Sequence, residues 1–133
     1  MNSINFGDNK FCGPAVISAI AGIDTDEAER LLQELRHTAK PVKGVRTTEI
    51  VDVLQKLGFY TKYIHANRSV FLMLTLNSEP GYYIFMVPHH FILIEITTDG
   101  RRLLVDNHTK EPLNAAMSSR LGQQVWQAIR VWR

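Results

Sequence analysis

The chain is 133 residues long, 45% hydrophobic and 21% charged, which suits one domain, residues 1–133, with a buried core and excludes an extended disordered chain. Its formal net charge is +2, with acids and bases interspersed, so binding to nucleic acid or to an anionic membrane is not expected. The single cysteine excludes an internal disulfide and a Cys-rich zinc site and suits a reducing, cytoplasmic location.

Met1–Asn5 has neither the basic patch nor the apolar run of a signal peptide. The longest apolar runs, Tyr82–Val87 and Phe91–Ile94, are far too short to span a bilayer. Residues 1–11 are rich in Gly, Asn and Asp and read as a loop. They lead into Cys12-Gly13-Pro14 and the small, apolar run Ala15–Ala21, which has the composition of a buried helix. Proline in a first turn lacks only an N–H that has no helical partner there, so Cys12 is expected at the helix N-terminus, with Gly22 as the stop. There the orphan N–H groups and the positive dipole end favour a thiolate, the attacking species in cysteine chemistry. A lone cysteine also serves as a small buried apolar residue, so its role turns on what lies downstream.

Asp24 and Glu27 have the spacing of a capping box. Ala28, Leu31, Leu32 and Leu35 follow at helical spacing, giving an amphipathic helix to about Arg36. Lys40-Pro41-Val42-Lys43-Gly44 reads as a solvated loop. Thr47 or Thr48 is expected to cap a third helix, with Ile50, Val51, Val53, Leu54 and Leu57 inward and Gly58 as its end. The period then changes. Phe59–His65 reads as a strand, and Ser69–Leu76 fits a short helix or a strand. Tyr82–Val87 and His90–Thr97 read as buried strands, the second returning through Asp99-Gly100 to Arg101–Asp106. Leu113–Arg120 suggests a short helix. Val125–Trp132 alternates as a final strand, with Trp126, Ala128 and Trp132 on one side and Val125, Ile129 and Val131 on the other. Helices first and an antiparallel sheet second is an α+β pattern, and a shared core requires the Cys12 helix to pack across the sheet. Tyr82, Tyr83 and Phe85 are expected to pack in the core rather than to line a cleft.

A thiol nucleophile needs a base within reach, and the base needs an orienter. His37, His65 and His108 sit where surface placement is the default. His89 and His90 stand at the mouth of an apolar strand, and adjacent strand residues point to opposite faces, so at most one of them is the base. Asp106 and Asn107 follow the return strand, where either a turn or an orienting role is open to them. The faces depend on the hairpin. A two-residue turn at Asp99-Gly100 pairs Thr98 with Arg101 and puts His90 on the face of Asn107. A three-residue loop, Asp99-Gly100-Arg101, pairs Thr98 with Arg102 and puts His90 on the face of Asp106, and a bulge has the same effect. No histidine has zinc-ligand companions at useful spacing, so neither a metal nor a cofactor is expected.

Asp/Asn-x-x-Cys-Gly-Pro-Ala at Asn9–Ala15, His-Phe-Ile-Leu at His90–Leu93 and Leu-Leu-Val-Asp at Leu103–Asp106 together resemble a papain-like cysteine peptidase, closest to the compact C39-like group, which includes peptidases that trim double-glycine leader peptides. The resemblance implies a papain-like α+β fold, with the cysteine on a central helix packed against a C-terminal antiparallel sheet, and a thiol protease of prokaryotic or phage origin acting on a peptide or protein. It also implies Cys12 as nucleophile, His90 as general base and acid, and Asp106 as orienter, with Asn107 the alternative. The same site serves acyl transfer or deamidation equally well. One position departs from the pattern: Phe6 stands where the group usually has a glutamine that donates to the oxyanion. Asn5 or Asn9 could substitute, but neither has the right spacing, and loss of one such donor costs on the order of a hundredfold in rate. That departure keeps open a papain-like module that only binds a peptide or protein partner.

Overall fold

The computed structural model describes residues 12–88, 90–105 and 113–133. Its first helix, α1 (Cys12–Ala21), is apolar and is buried from Gly13 to Ile20, as a helix without a polar face must be. Ser18 is the polar exception, and its hydroxyl donates to the Ile23 carbonyl. Ala28 and Leu32 of α2 (Thr25–Arg36) and Ile50, Val53 and Leu54 of α3 (Thr47–Lys56) complete the helical side of this core.

The sheet is antiparallel and six-stranded, in the order β1 (Tyr60–Ile64), β8 (Gln127–Trp132), β3 (Gly81–Val87), β4 (His90–Ile96), β5 (Arg102–Val105), β6 (Leu113–Asn114). One face carries Ile84, Phe91, Leu93, Val105, Ile129 and Val131 into the core with α1. The other carries Tyr83, Phe85, Val87, Ile92, Ile94, Leu104 and Ala128 against Val70, Met73 and Leu74 of α4 (Val70–Leu76). A strand covered on both faces reads as a continuous apolar run, which accounts for Phe91–Ile94. The helices-then-sheet expectation therefore holds, with α1 lying across β4. Tyr83 and Phe85 are core residues, and the Tyr83 hydroxyl donates to the Glu79 carbonyl at 2.7 Å.

Several local details differ from expectation. Asp24 is the N-cap of α2, but its side chain makes no cap hydrogen bond. Arg46, not a threonine, caps α3: Glu49 reaches back to the Arg46 N–H at 2.9 Å, while the Thr47 hydroxyl donates to Gln127 Oε1 at 2.7 Å. Residues 70–76 are helical because Ser69 supplies a cap, accepting the Leu72 N–H at 3.2 Å. Only Ala115–Met117 of the expected helix at 113–120 is helical, as a single 3-10 turn. The last strand is interrupted. Met86, paired with Gln127, also accepts the Trp126 N–H at 2.9 Å, so two residues oppose one, as in a β-bulge. The bulge resets the alternation. Val125, in β7 (Gln124–Val125), pairs with β2 (Arg68–Ser69) in a separate two-stranded sheet and joins Ala128 rather than Ile129 in the core.

The β4–β5 connection is a three-residue loop one position earlier than either expected turn. Thr97 N–H donates to Arg101 O and Gly100 N–H to Thr97 O, which leaves Thr98-Asp99-Gly100 as the loop. Gly100 has φ of 87°, the left-handed position that such loops reserve for glycine. Ile96 accordingly faces Arg102 and Ile94 faces Leu104, so even-numbered positions of the two strands share a face.

Glu49 ties these helices together. The Arg36 guanidinium bonds both of its oxygens, one at 2.8 Å, and the Arg46 N–H adds a third contact at 2.9 Å. The Arg36 hydrogen bond, outweighing burial, brings the Glu49 carboxyl down to about 2. A depressed carboxyl contributes stability that is complete above its unfolded value and disappears as pH falls through the folded one. Glu49→Gln should therefore cost about 1–2 kcal/mol in urea unfolding at neutral pH. The difference from the parent should close as pH falls from the ordinary carboxylate range toward 2; a gap independent of pH would contradict the ion pair. Leu93, fully buried between β4 and α1, should lose about 2–5 kcal/mol on truncation to alanine, by the same measurement.

Candidate active site

Cys12 is the first residue of a ten-residue helix with no acidic residue in its first turn. Backbone N–H groups are left without helical partners at such a position, and no carboxylate of that turn opposes the positive dipole end. Pro14 fits here without loss, as expected. Gly13 is buried for a reason the sequence does not reveal: a methyl group on its Cα would stand 2.6 Å from Val45 Cγ2 and 2.8 Å from Val45 Cβ. The segment between α2 and α3, read from sequence as a solvated loop, thus presses on the residue next to the cysteine. Val42 from the same segment is fully buried.

His90 is the first residue of β4, the strand on which α1 lies. The fold therefore brings the two elements headed by Cys12 and His90 into contact. His90 is half-buried, with its Nδ1 atom buried. In the sheet it faces Val87 and lies on the side of Ile92, whereas Phe91 and Leu93 point into the α1 core. Strand β5, hydrogen-bonded to β4, ends at Val105. Asn5, Phe6, Asn9, His89, Asp106, Asn107 and His108 lie outside the described residues. His37 is the exposed C-cap of α2 and His65 follows β1 at the surface, both as expected of solvated histidines. Among the described residues no group of three or more His, Cys, Asp or Glu side chains has the geometry to hold a metal ion, and no helix is long and apolar enough to cross a membrane.

The sequence pattern of the Peptidase C39 family matches residues 1–120. No curated protein sequence matches the chain. Among solved structures, the chain resembles a double glycine motif protease from an AMS/PCAT transporter, captured in complex with the leader peptide. That match has a TM-score of 0.63 at 12% identity and covers 98% of this chain and 89% of the other. It also resembles the peptidase domain of Streptococcus ComA, a bifunctional ABC transporter of a quorum-sensing pathway, with a TM-score of 0.62 at 20% identity, covering 97% and 96%. The peptidase domain of Streptococcus mutans ComA superimposes over 100% of both chains, with a TM-score of 0.64 at 19% identity. At such identities these likenesses speak for the fold, an α+β papain-like one. With a buried helix headed by a cysteine, a sheet strand headed by a histidine against it, and a family pattern that spans both, the chain belongs to the Peptidase C39 family and is a cysteine peptidase.

Proposed function

We propose that residues 1–133 form one peptidase domain that cleaves a peptide bond through an acyl-enzyme on Cys12, with His90 as base and acid and Asp106 as orienter. The observation that carries this reading is the placement of Cys12 at the N-terminus of a buried helix lying on the strand that His90 begins. Cys12 Sγ, as thiolate, attacks the carbonyl carbon, and the oxyanion gathers the N–H groups at the start of α1. The imidazolium gives its proton to the leaving amine as the C–N bond breaks. The imidazole then takes a proton from water, which attacks the thioester and releases the acid and the thiolate. Asp106 as orienter rests on the resemblance of Leu103–Asp106 to the Leu-Leu-Val-Asp stretch of the family. By likeness to the double glycine motif protease bound to its leader peptide, the substrate is a leader peptide bearing a double glycine motif.

One observation favours a second assignment of the base: β4 sends Phe91 and Leu93, not His90, toward α1. His89 then becomes the other candidate, and the test includes both. At pH 6 a thiol of ordinary pKa is well under 1% ionised, so a catalytic Cys12 should react with iodoacetamide tens of times faster than free cysteine. His90→Ala should abolish that excess and His89→Ala should spare it; the reverse result would move the base to His89. Reactivity no greater than free cysteine in the parent would sink the nucleophile assignment and leave a peptide-binding module, the role that Phe6 would suit.

The orienter is checked separately by cleavage of a double-glycine leader peptide. Asp106→Asn should lower kcat by about a hundredfold or more, while Asn107→Ala should stay within a few-fold of the parent. Interchanged effects would make Asn107 the orienter. Peptide products without transfer to an added amine would distinguish hydrolysis from acyl transfer.

A further inference from the structure

We infer that Val45 is a positioning residue for the nucleophile, pressed onto the first turn of α1 by a clamp that closes around its own backbone. This rests on the reading of Cys12 as the nucleophile. The segment between α2 and α3 is held at several points. Gln33 Nε2 donates to the Lys40 carbonyl at 3.0 Å, and Val42 is fully buried. Arg36 Nη2 donates to the Gly44 carbonyl at 2.8 Å. The Arg46 N–H donates to Glu49 Oε1 at 2.9 Å, and Arg36 and Glu49 pair with each other. One ion pair therefore grips the residue before Val45 and the residue after it, and Val45 between them meets Gly13. With an added methyl on Gly13 only 2.6 Å from Val45 Cγ2 and 2.8 Å from Val45 Cβ, the backbone beside Cys12 and the valine side chain touch with nothing between them.

The contact matters because of where it falls. The first turn of a helix has N–H groups without helical partners and frays first, yet here it must hold a thiolate and its oxyanion donors in register. Valine is stiff about χ1, so it fixes what it touches better than an unbranched chain would. A shift of about 1 Å in such a constellation costs up to a hundredfold in rate. Glycine at position 13 is then required by the close approach of Val45, and the pair works as one unit.

The test compares Val45→Ile, Val45→Gly, Gly13→Ala and the double variant Gly13→Ala/Val45→Gly, each in the full chain and at a urea concentration where unfolding curves show it fully native. Two readouts are followed: the pH profile of Cys12 alkylation, and kcat against KM on a leader peptide. Val45→Gly should lower kcat about tenfold with little change in KM and move the alkylation profile to higher pH. Gly13→Ala should do the same by pushing Val45 away. Val45→Ile should match the parent. The double variant should recover part of the loss, because the methyl introduced at position 13 occupies the space that the valine side chain vacates, and the cycle should be clearly non-additive. Parent-like profiles and kcat in both Val45→Gly and Gly13→Ala would overturn the inference. An ordinary thiol profile in the parent chain would instead overturn the nucleophile assignment on which it rests, so the two failures are distinguishable.

Discussion

A ten-residue helix without a charged side chain has to be covered all round, and the rest of the molecule is arranged to do it. Helices α2 and α3 cover two sides, and β4, with its neighbours β3 and β5, covers a third through Phe91, Leu93, Ile84 and Val105. What burial of the sides leaves unanswered is the end. A helix terminus cannot satisfy its own N–H groups, and in α1 that terminus carries Cys12. The helix whose burial stabilises the domain is thus also the one that the single cysteine begins.

The sheet serves two cores at once. Its central strands are apolar on both faces, so α1 and α4 each find a hydrophobic wall, and β4 is held from both sides. That rigidity suits a strand whose first residue is a candidate base, because a side chain held by a doubly buried strand has little freedom to drift from its partner. The bulge at Trp126 lets one stretch of chain serve two sheets. After it, Ile129 and Val131 face the α1 core, while before it Val125 packs with α4.

Sequence reasoning read the elements that rest on periodicity or on a single strong stop signal. The three N-terminal helices, the paired apolar strands and the position of Cys12 at a helix start all follow from residue types within a short window. It failed where a residue chose a distant partner over a local one. Thr47 had the look of a cap, but its hydroxyl goes to Gln127, and Glu49 completes the cap through the Arg46 N–H instead. Asp99-Gly100 was open to a two-residue turn or to a three-residue loop ending at Arg101, but the Thr97–Arg101 pairing makes the loop Thr98-Asp99-Gly100. The alternation across Val125–Trp132 was broken by one extra residue, whose position depends on Met86 in another strand.

What the amino-acid sequence determined by itself is the inventory: an apolar helix headed by the sole cysteine, a histidine pair at the head of a doubly apolar strand, and an Asp-Asn pair at the end of its hairpin partner. These are local, because composition and period act over a few residues. What only the tertiary structure decided is which faces meet. The packing of α1 on the Phe91 and Leu93 side of β4, the even-numbered register of β4 with β5, and the pressure of Val45 on Gly13 all depend on contacts between segments far apart in the chain. Such contacts are set by the fit of whole surfaces, and no short window of residues contains that fit.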